Sequence, residues 1–299
     1  MSRPHPILDR PAKTVVSKYS RGGWVLLECR ETGLVYLDNP PDYTELEDTY
    51  AWERSLKRER AARKAREPLF AAVSAFSKRL RKTFRIAPRK ETLPLAVARR
   101  VGEGRARLHL LDIGCGNGRY GSLLADRIGA ACRLRVIPMG IEISRELAGM
   151  AQKEFEARGG SVIRSPALMG IDEAPDASID LMMLHSFLEH EVHPLELMQA
   201  CREKLTLGGA VIIKVPNFAS WNRRIRQHRW CGFRFPDHVN YFTPESLRLL
   251  LDHAGFGIER MGFFECLPTS DNLWCVAAPL PANCPTPVEV TDALAPATS

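Results

Sequence analysis

The chain has 299 residues, 45% of them hydrophobic and 26% charged, with 42 Lys and Arg against 35 Asp and Glu and a formal charge of +7. That composition belongs to an ordinary globular chain and excludes collagen-like, coiled-coil and wholly disordered readings. No apolar run reaches the ~18–20 residues of a membrane span. The opening MSRPHPILDRPAK lacks an apolar signal core, and the eight Cys include no C-x-x-C pair, so the expected setting is the reducing cytoplasm, with no disulfide framework.

Residues 1–50 read as a small module of short strands and turns: WVLLEC, a turn at Gly33, LVYL, then the Pro-rich stop DNPPD. A basic helical segment follows over 51–107. Residues 53–107 carry 18 Lys and Arg against 5 Asp and Glu, a local balance of +13 that leaves −6 for the rest of the chain. AWERSLKRERAARKARE reads as a charged helix stopped by Pro68. Beyond it, Leu69, Val73, Phe76, Leu80 and Phe84 recur at helical spacing, with Lys78, Arg79, Arg81, Lys82 and Arg85 mostly off that stripe. Two uses stay open for 69–85: a helix packed on the neighbouring domain, or a peripheral contact with an anionic membrane. Residues 88–107 read as a basic connector with room for a short helix.

From residue 108 to 279 the pattern alternates. LHLLDIG, RLRVIPMGIEI, SVIRS, IDLMMLH and AVIIKV read as strands. Between them Arg119–Ile128, the segment after Ser144, and Pro194–Leu205 read as helices. Such alternation calls for an α/β fold, a parallel sheet with helices on both faces. Thr243–Pro244–Glu245 starts another helix, Gly255 ends it, and GIERMGFFE and NLWCVAA make an antiparallel finish. The tail 280–299, rich in Pro and without apolar period, is expected to be disordered.

The chemistry concentrates in LLDIGCGNG, residues 110–118. A strand ends in Asp112, then Gly114, Cys115, Gly116, Asn117 and Gly118 form a turn that opens a helix. Glycines let the turn tighten and a ligand approach the backbone, and the helix N-terminus offers free N–H groups. Glu142, 24 residues beyond Gly118 and followed by Ile143, ends the next strand, where an acid can accept both hydroxyls of a ribose. Gly116–Gly121 also matches G-x-G-x-x-G, but that frame starts two residues late and leaves Asp112 unused.

The fuller D-x-G-x-G-x-G pattern resembles motif I of class I S-adenosylmethionine-dependent methyltransferases, and Glu142 resembles their ribose-binding acid. IDLMMLHSFLEH resembles the family's stretch ending in Leu-Glu-His. LTLGGAVIIKVPN resembles its approach to the fifth strand. Residues 216–256, with Pro216-Asn217, Trp230, Pro236-x-His238, Phe242-Thr243-Pro244-x-Ser246-Leu247 and Ala254-Gly255-Phe256, resemble the substrate-side insertion of one broad small-molecule subgroup. The resemblance implies a Rossmann-like sheet of seven strands with the last antiparallel, and S-adenosyl-L-methionine as cofactor. It implies cofactor contacts at Asp112, Gly114, Cys115, Gly116, Asn117, Gly118, Glu142, Ile143 and His185. His190 and His238 rank first as catalytic base or acceptor contact. Glu189, Trp230 and Tyr241 are the expected acceptor-side residues.

Two departures limit the carry-over. Quinone-pathway O-methyltransferases place a Glu three residues before Glu-His and bind a divalent metal with the three. Here that position is Ser186, and no metal is expected. CRETGLVYLDNPPDYTELEDTY resembles a zinc-ribbon-like module, but Cys29 is followed by Thr32 where the second Cys belongs, which implies a remnant without zinc. Asn39–Pro40–Pro41 also resembles the motif of DNA amino-methyltransferases, yet it precedes the first sheet strand of the domain instead of following the fourth.

The reading is methyl transfer to oxygen or carbon of a small or lipid-linked metabolite. A nucleic-acid methyltransferase using residues 53–107 is the alternative, against which no RNA-binding module is recognisable and nucleic acid is not the expected partner. A non-catalytic interaction protein retaining the cofactor fold is the third.

Overall fold

The computed structural model describes residues 3–8, 10–41 and 88–281. The helices expected over 51–67 and 69–85, and the tail from residue 282, lie outside the described residues. Strands β1 (Thr14–Val16), β2 (Leu26–Cys29) and β3 (Val35–Leu37) open the chain. Then come α1 (Arg89–Val101), β4 (Arg107–Ile113), α2 (Arg119–Cys132), β5 (Arg135–Ile141), α3 (Arg145–Glu156), β6 (Ser161–Ile163), α4 (Ala167–Gly170) and β7 (Ile179–His185). They are followed by α5 (Pro194–Lys204), β8 (Leu205–Pro216), α6 (Trp221–Arg226), β9 (Asn240–Tyr241), α7 (Pro244–His253), β10 (Phe256–Arg260) and β11 (Asn272–Pro279).

Seven strands form one sheet in the order β10-β11-β8-β7-β4-β5-β6. The pairs β7–β8, β4–β7, β4–β5 and β5–β6 are parallel, and β11 runs antiparallel to both its neighbours. This is the Rossmann-like arrangement expected from the alternating pattern. Both faces are covered, so the strands read as nearly continuous apolar runs. Leu108, Leu110, Leu181, Met183 and Ile212 pack with Leu93, Val97, Leu124 and Ile128 of α1 and α2. Their sequence neighbours Leu111, Ile113, Met182, Leu184 and Ile213 pack on the other face with Leu197 and Met198 of α5 and Leu247 and Leu250 of α7. The period of two thus sends successive side chains into two separate cores.

Local signals fix the ends. Ser144 caps α3 by accepting from the Leu147 N–H, and Thr243 and Ser246 cap α7 reciprocally, contributions of about 1 kcal/mol each. Some elements differ from expectation in presence or extent. The basic connector contains a 13-residue helix, α1, because Leu93, Val97 and Val101 give it an apolar stripe to bury. The strand expected over GIERMGFFE stops at Arg260, and Phe263 and Phe264 are exposed in the following loop. The two-residue strand β9 inside the insertion pairs with β3 of the N-terminal module, through Val35–Tyr241 and Tyr36–Asn240.

That pairing completes a second antiparallel sheet, β1-β2-β3-β9. Tyr19, Leu26, Val35 and Leu37 share one buried cluster with Phe218, Trp230, Phe233, Val239 and Tyr241 of the insertion. Arg3 reinforces the joint by donating to the Leu37 and Val239 carbonyls, to Val192 and to Asn240 Oδ1. Thr32 Oγ1 lies 3.1 Å from His5 Nε2 and accepts the Leu34 N–H, so neutral hydrogen bonds occupy that corner. No helix among the described residues is long and apolar enough to cross a membrane.

Candidate active site

The C-terminal ends of β4, β5 and β7 lie side by side, and the loops that leave them carry the motif residues. Asp112 pairs in register with Gly140 of β5 and Met183 of β7. Gly114, Gly116 and Gly118 all adopt left-handed backbone conformations, at φ of 71°, 56° and 77°, which L side chains adopt at a cost of about 1–2 kcal/mol. They differ in what surrounds them. A Cβ on Gly118 would come within 2.8 Å of Ala151 Cα on α3, whereas a Cβ on Gly116 would meet nothing within 4 Å. Gly118 therefore lets two helices close up, and Gly116 borders open space over the loop.

Glu142 closes this loop from the β5 side. Its Oε2 accepts the Gly116 N–H and its Oε1 the Ser144 N–H, both at 2.9 Å. Asp112 is buried, and burial together with the charge of Glu142 pushes its carboxyl up to about 7. An uncompensated carboxylate in such a place favours a cationic partner. The Cys115 side chain turns inward to pack with Ala151 and Phe155, and burial raises its thiol far above the ordinary range. Asn117 Oδ1 accepts the Arg119 N–H at the start of α2, and Ile143 is half-buried beside Glu142.

Gly121, the last glycine of the discarded G-x-G-x-x-G frame, has a packing reason of its own. A Cβ there would lie 2.8 Å from Phe155 Cζ and 3.1 Å from Asp112 Oδ2. Its absence brings α2 down against the acidic strand end. Phe187 is another residue that motif reading missed. Its ring fills the space where a Gly114 Cβ would sit, 2.3 Å from Cδ2, and so seats the loop after β7 against the glycine loop.

That loop brings the acceptor-side candidates together. Val239 N and Asn240 N both donate to the Glu189 carbonyl, at 2.8 and 3.1 Å, joining the insertion to the Leu-Glu-His stretch. His190 and His238 meet edge to face with ring centroids 4.7 Å apart. Nδ1 of His190 bonds the Asp237 carbonyl at 2.7 Å and Nδ1 of His238 bonds the Gly232 carbonyl at 2.8 Å. A carbonyl only accepts, so in both rings Nδ1 carries the proton and Nε2 keeps a free lone pair. Burial lowers His190 to about 4 and His238 well below its ordinary value, which keeps both neutral. Glu189 is 1% exposed, and its Oε2 has no hydrogen-bond partner. Burial pushes its carboxyl up to about 7, against the pull of Lys214. The Lys214 ammonium itself donates to Ser186 Oγ at 2.6 Å.

The remaining candidates border this group, Tyr241 with its ring centroid 6.5 Å from that of His238. His185 ends β7 between the rings of Tyr120 and Trp274, at 4.9 and 5.6 Å, and burial with Lys214 and Lys90 nearby lowers it to about 4. Trp230 and Tyr241 are packed inside the aromatic cluster of the insertion with Phe218 and Phe233. The Trp230 indole donates to Asp271 Oδ1 at 2.7 Å, which ties the insertion to the loop before β11.

A family model described as a methyltransferase domain matches residues 63–260. Among curated relatives, the uncharacterized protein MJ1123 of Methanocaldococcus jannaschii is 24% identical over 163 residues, 54% of this chain and 68% of its own length. A ubiquinone biosynthesis O-methyltransferase of Cereibacter sphaeroides is 31% identical over 166 residues, 52% of this chain. The chain spans 63% of the length of that relative. A crystal structure of a SAM dependent methyltransferase from Archaeoglobus fulgidus covers 68% of this chain and 99% of its own at 19% identity, with a TM-score of 0.46. The matched residues include the glycine loop, Glu142, the Leu-Glu-His stretch and the insertion, and the chain belongs to the methyltransferase-domain family of class I S-adenosylmethionine-dependent enzymes.

Proposed function

We propose that this chain transfers the methyl group of S-adenosylmethionine to an oxygen or carbon of a small or lipid-linked metabolite. The observation that supports the reading most is the packing of Phe187 against Gly114, which joins the loop carrying Glu189 and His190 to the glycine loop after Asp112. On the cofactor side, Asp112 supplies a buried carboxylate for the ammonium of the methionine moiety and Glu142 takes the ribose hydroxyls. On the acceptor side, the free lone pairs of His190 and His238 are placed to contact the acceptor or receive the proton of an attacking hydroxyl. Holding the two reactants in line supplies much of the acceleration, and proton removal adds about 10²–10⁴-fold. The likeness to a ubiquinone biosynthesis O-methyltransferase supports an oxygen acceptor.

The test incubates the full chain with methyl-labelled S-adenosylmethionine and a panel of hydroxylated aromatics, sugars and lipid-linked metabolites. Label moving to one of these, and not with Asp112→Ala, supports the reading. Label moving to RNA or DNA alone contradicts it.

A further inference from the structure

Glu189, His190 and His238 place one potential ligand atom each within 4.8 Å of one another. The Leu-Glu-His stretch offers two of these donors and lacks the third carboxylate at Ser186; His238, 48 residues beyond His190, is delivered in its stead by the insertion. Three independent features of the group point to a ligand. Both rings are anchored through Nδ1 to backbone carbonyls, the arrangement by which metal-binding histidines fix their tautomer and aim the other nitrogen. The rings meet edge to face at 4.7 Å, so the two anchored imidazoles share one small space. The third donor is a carboxylate oxygen that is buried and has no hydrogen-bond partner. Leaving such an atom unpaired is unfavourable, and the nearby Lys214 makes no hydrogen bond to it, its ammonium donating to Ser186 Oγ.

We infer that Glu189, His190 and His238 form a binding site for a divalent transition-metal cation of the Zn²⁺, Co²⁺ or Mn²⁺ type. Two imidazoles and one carboxylate suit these borderline ions better than Mg²⁺ or Ca²⁺, which prefer all-oxygen sets. Tetrahedral ligands at about 2.0–2.2 Å from a metal stand about 3.4 Å apart. Closing the group from 4.8 Å needs an inward movement of about 1 Å, and Glu189 Oε2, which has no hydrogen bond to break, is the donor best able to make it. Three protein ligands leave a coordination position open. The inference rests on the proposed methyl transfer only for the purpose of the ion, which is to hold an acceptor oxygen. With the ion bound, His190 and His238 are ligands and not proton acceptors.

The experiment titrates chelator-treated, desalted full-length protein with Co²⁺ and with Zn²⁺, following heat and visible absorption. The expected result is one equivalent bound, with a Co²⁺ spectrum of nitrogen and oxygen ligation and no thiolate charge-transfer band. Glu189→Gln, which preserves shape, and His238→Asn should each weaken the affinity at least about 100-fold, while S-adenosylmethionine affinity stays as in the wild type. If His238→Asn fails to fold, Glu189→Gln decides alone. No stoichiometric uptake by the wild type, or unchanged uptake by the variants, overturns the site. A chain that binds S-adenosylmethionine and no cation sinks the cation site alone. A chain that binds the cation but not S-adenosylmethionine sinks the methyl-transfer reading and leaves the site standing.

Discussion

Glu142 Oε2 accepts the amide hydrogen of Gly116 at 2.9 Å, joining the acid that follows β5 to the middle of the loop that follows β4. With the second bond, from Ser144 N to Oε1, the carboxylate is held by two backbone groups before any ligand arrives. Pre-positioning of this kind lowers the ordering cost of binding.

The length of that side chain is therefore critical. Glu142→Asp withdraws the carboxylate by one methylene and cannot reach both amides. Calorimetry should show S-adenosylmethionine binding weakened about 10–100-fold, equivalent to about 1.4–2.7 kcal/mol, with the fold retained.

Asp112 gives a pH signature. Its carboxyl stands at about 7 because of burial and the charge of Glu142, so in the unliganded protein it is protonated below that pH. A cationic ammonium binds the ionised form, and cofactor affinity should fall by up to about tenfold per pH unit below about 7. The same shift has the opposite sign for folding. A carboxyl raised above its unfolded value of about 4 holds its proton longer in the native state, so stability is lost as pH rises from about 4 to 7. Asp112→Asn should bind the cofactor weakly at every pH, and should unfold at a higher temperature than the wild type at pH 8 but not at pH 4. A flat affinity profile for the wild type between pH 5 and 8 would count against this account.

The glycines separate folding from binding. Gly118→Ala meets both a left-handed φ and the Ala151 backbone at 2.8 Å, and should lower stability by about 2–4 kcal/mol in urea unfolding. Gly116→Ala meets only the conformational penalty of about 1–2 kcal/mol. Its methyl group projects into open space over the cradle, so cofactor affinity, measured by calorimetry, should suffer far more than stability.

Much of the sheet is legible in the sequence because both its faces are buried: runs such as LHLLDI and IDLMMLH declare strands, and Ser144 and Thr243 announce helix starts. The cofactor candidates are legible for a related reason, since Asp112, the glycine loop and Glu142 sit at fixed offsets from strand ends. The acceptor side is not. His190 and His238 meet through backbone bonds from Val239 and Asn240 to Glu189, and no local period encodes them. The joint between β3 and β9 is equally silent, because a two-residue strand inside a loop has no pattern of its own and its partner lies about 200 residues away. Trp230 and Tyr241 are visible as large aromatics, but aromatic content alone does not distinguish a pocket wall from the packed cluster in which they lie.

The N-terminal module should act as a brace for the insertion. Arg3 bonds carbonyls on both sides of the joint. Arg3→Ala removes these charge-assisted bonds, although the Val239 carbonyl keeps the Leu37 N–H, and should cost about 1–3 kcal/mol of stability. Urea unfolding should register that loss, while S-adenosylmethionine affinity, which the proposed site at β4 and β5 would set, stays unchanged.

The account depends most on the cofactor site at the ends of β4 and β5. The direct measurement is a calorimetric titration of S-adenosylmethionine into the wild type, Asp112→Ala and Glu142→Ala, with circular dichroism to confirm folding. One site in the wild type, weakened at least about 100-fold in each variant, or about 2.7 kcal/mol, is the predicted result. A wild type that does not bind, or folded variants that bind as tightly as the wild type, would contradict it.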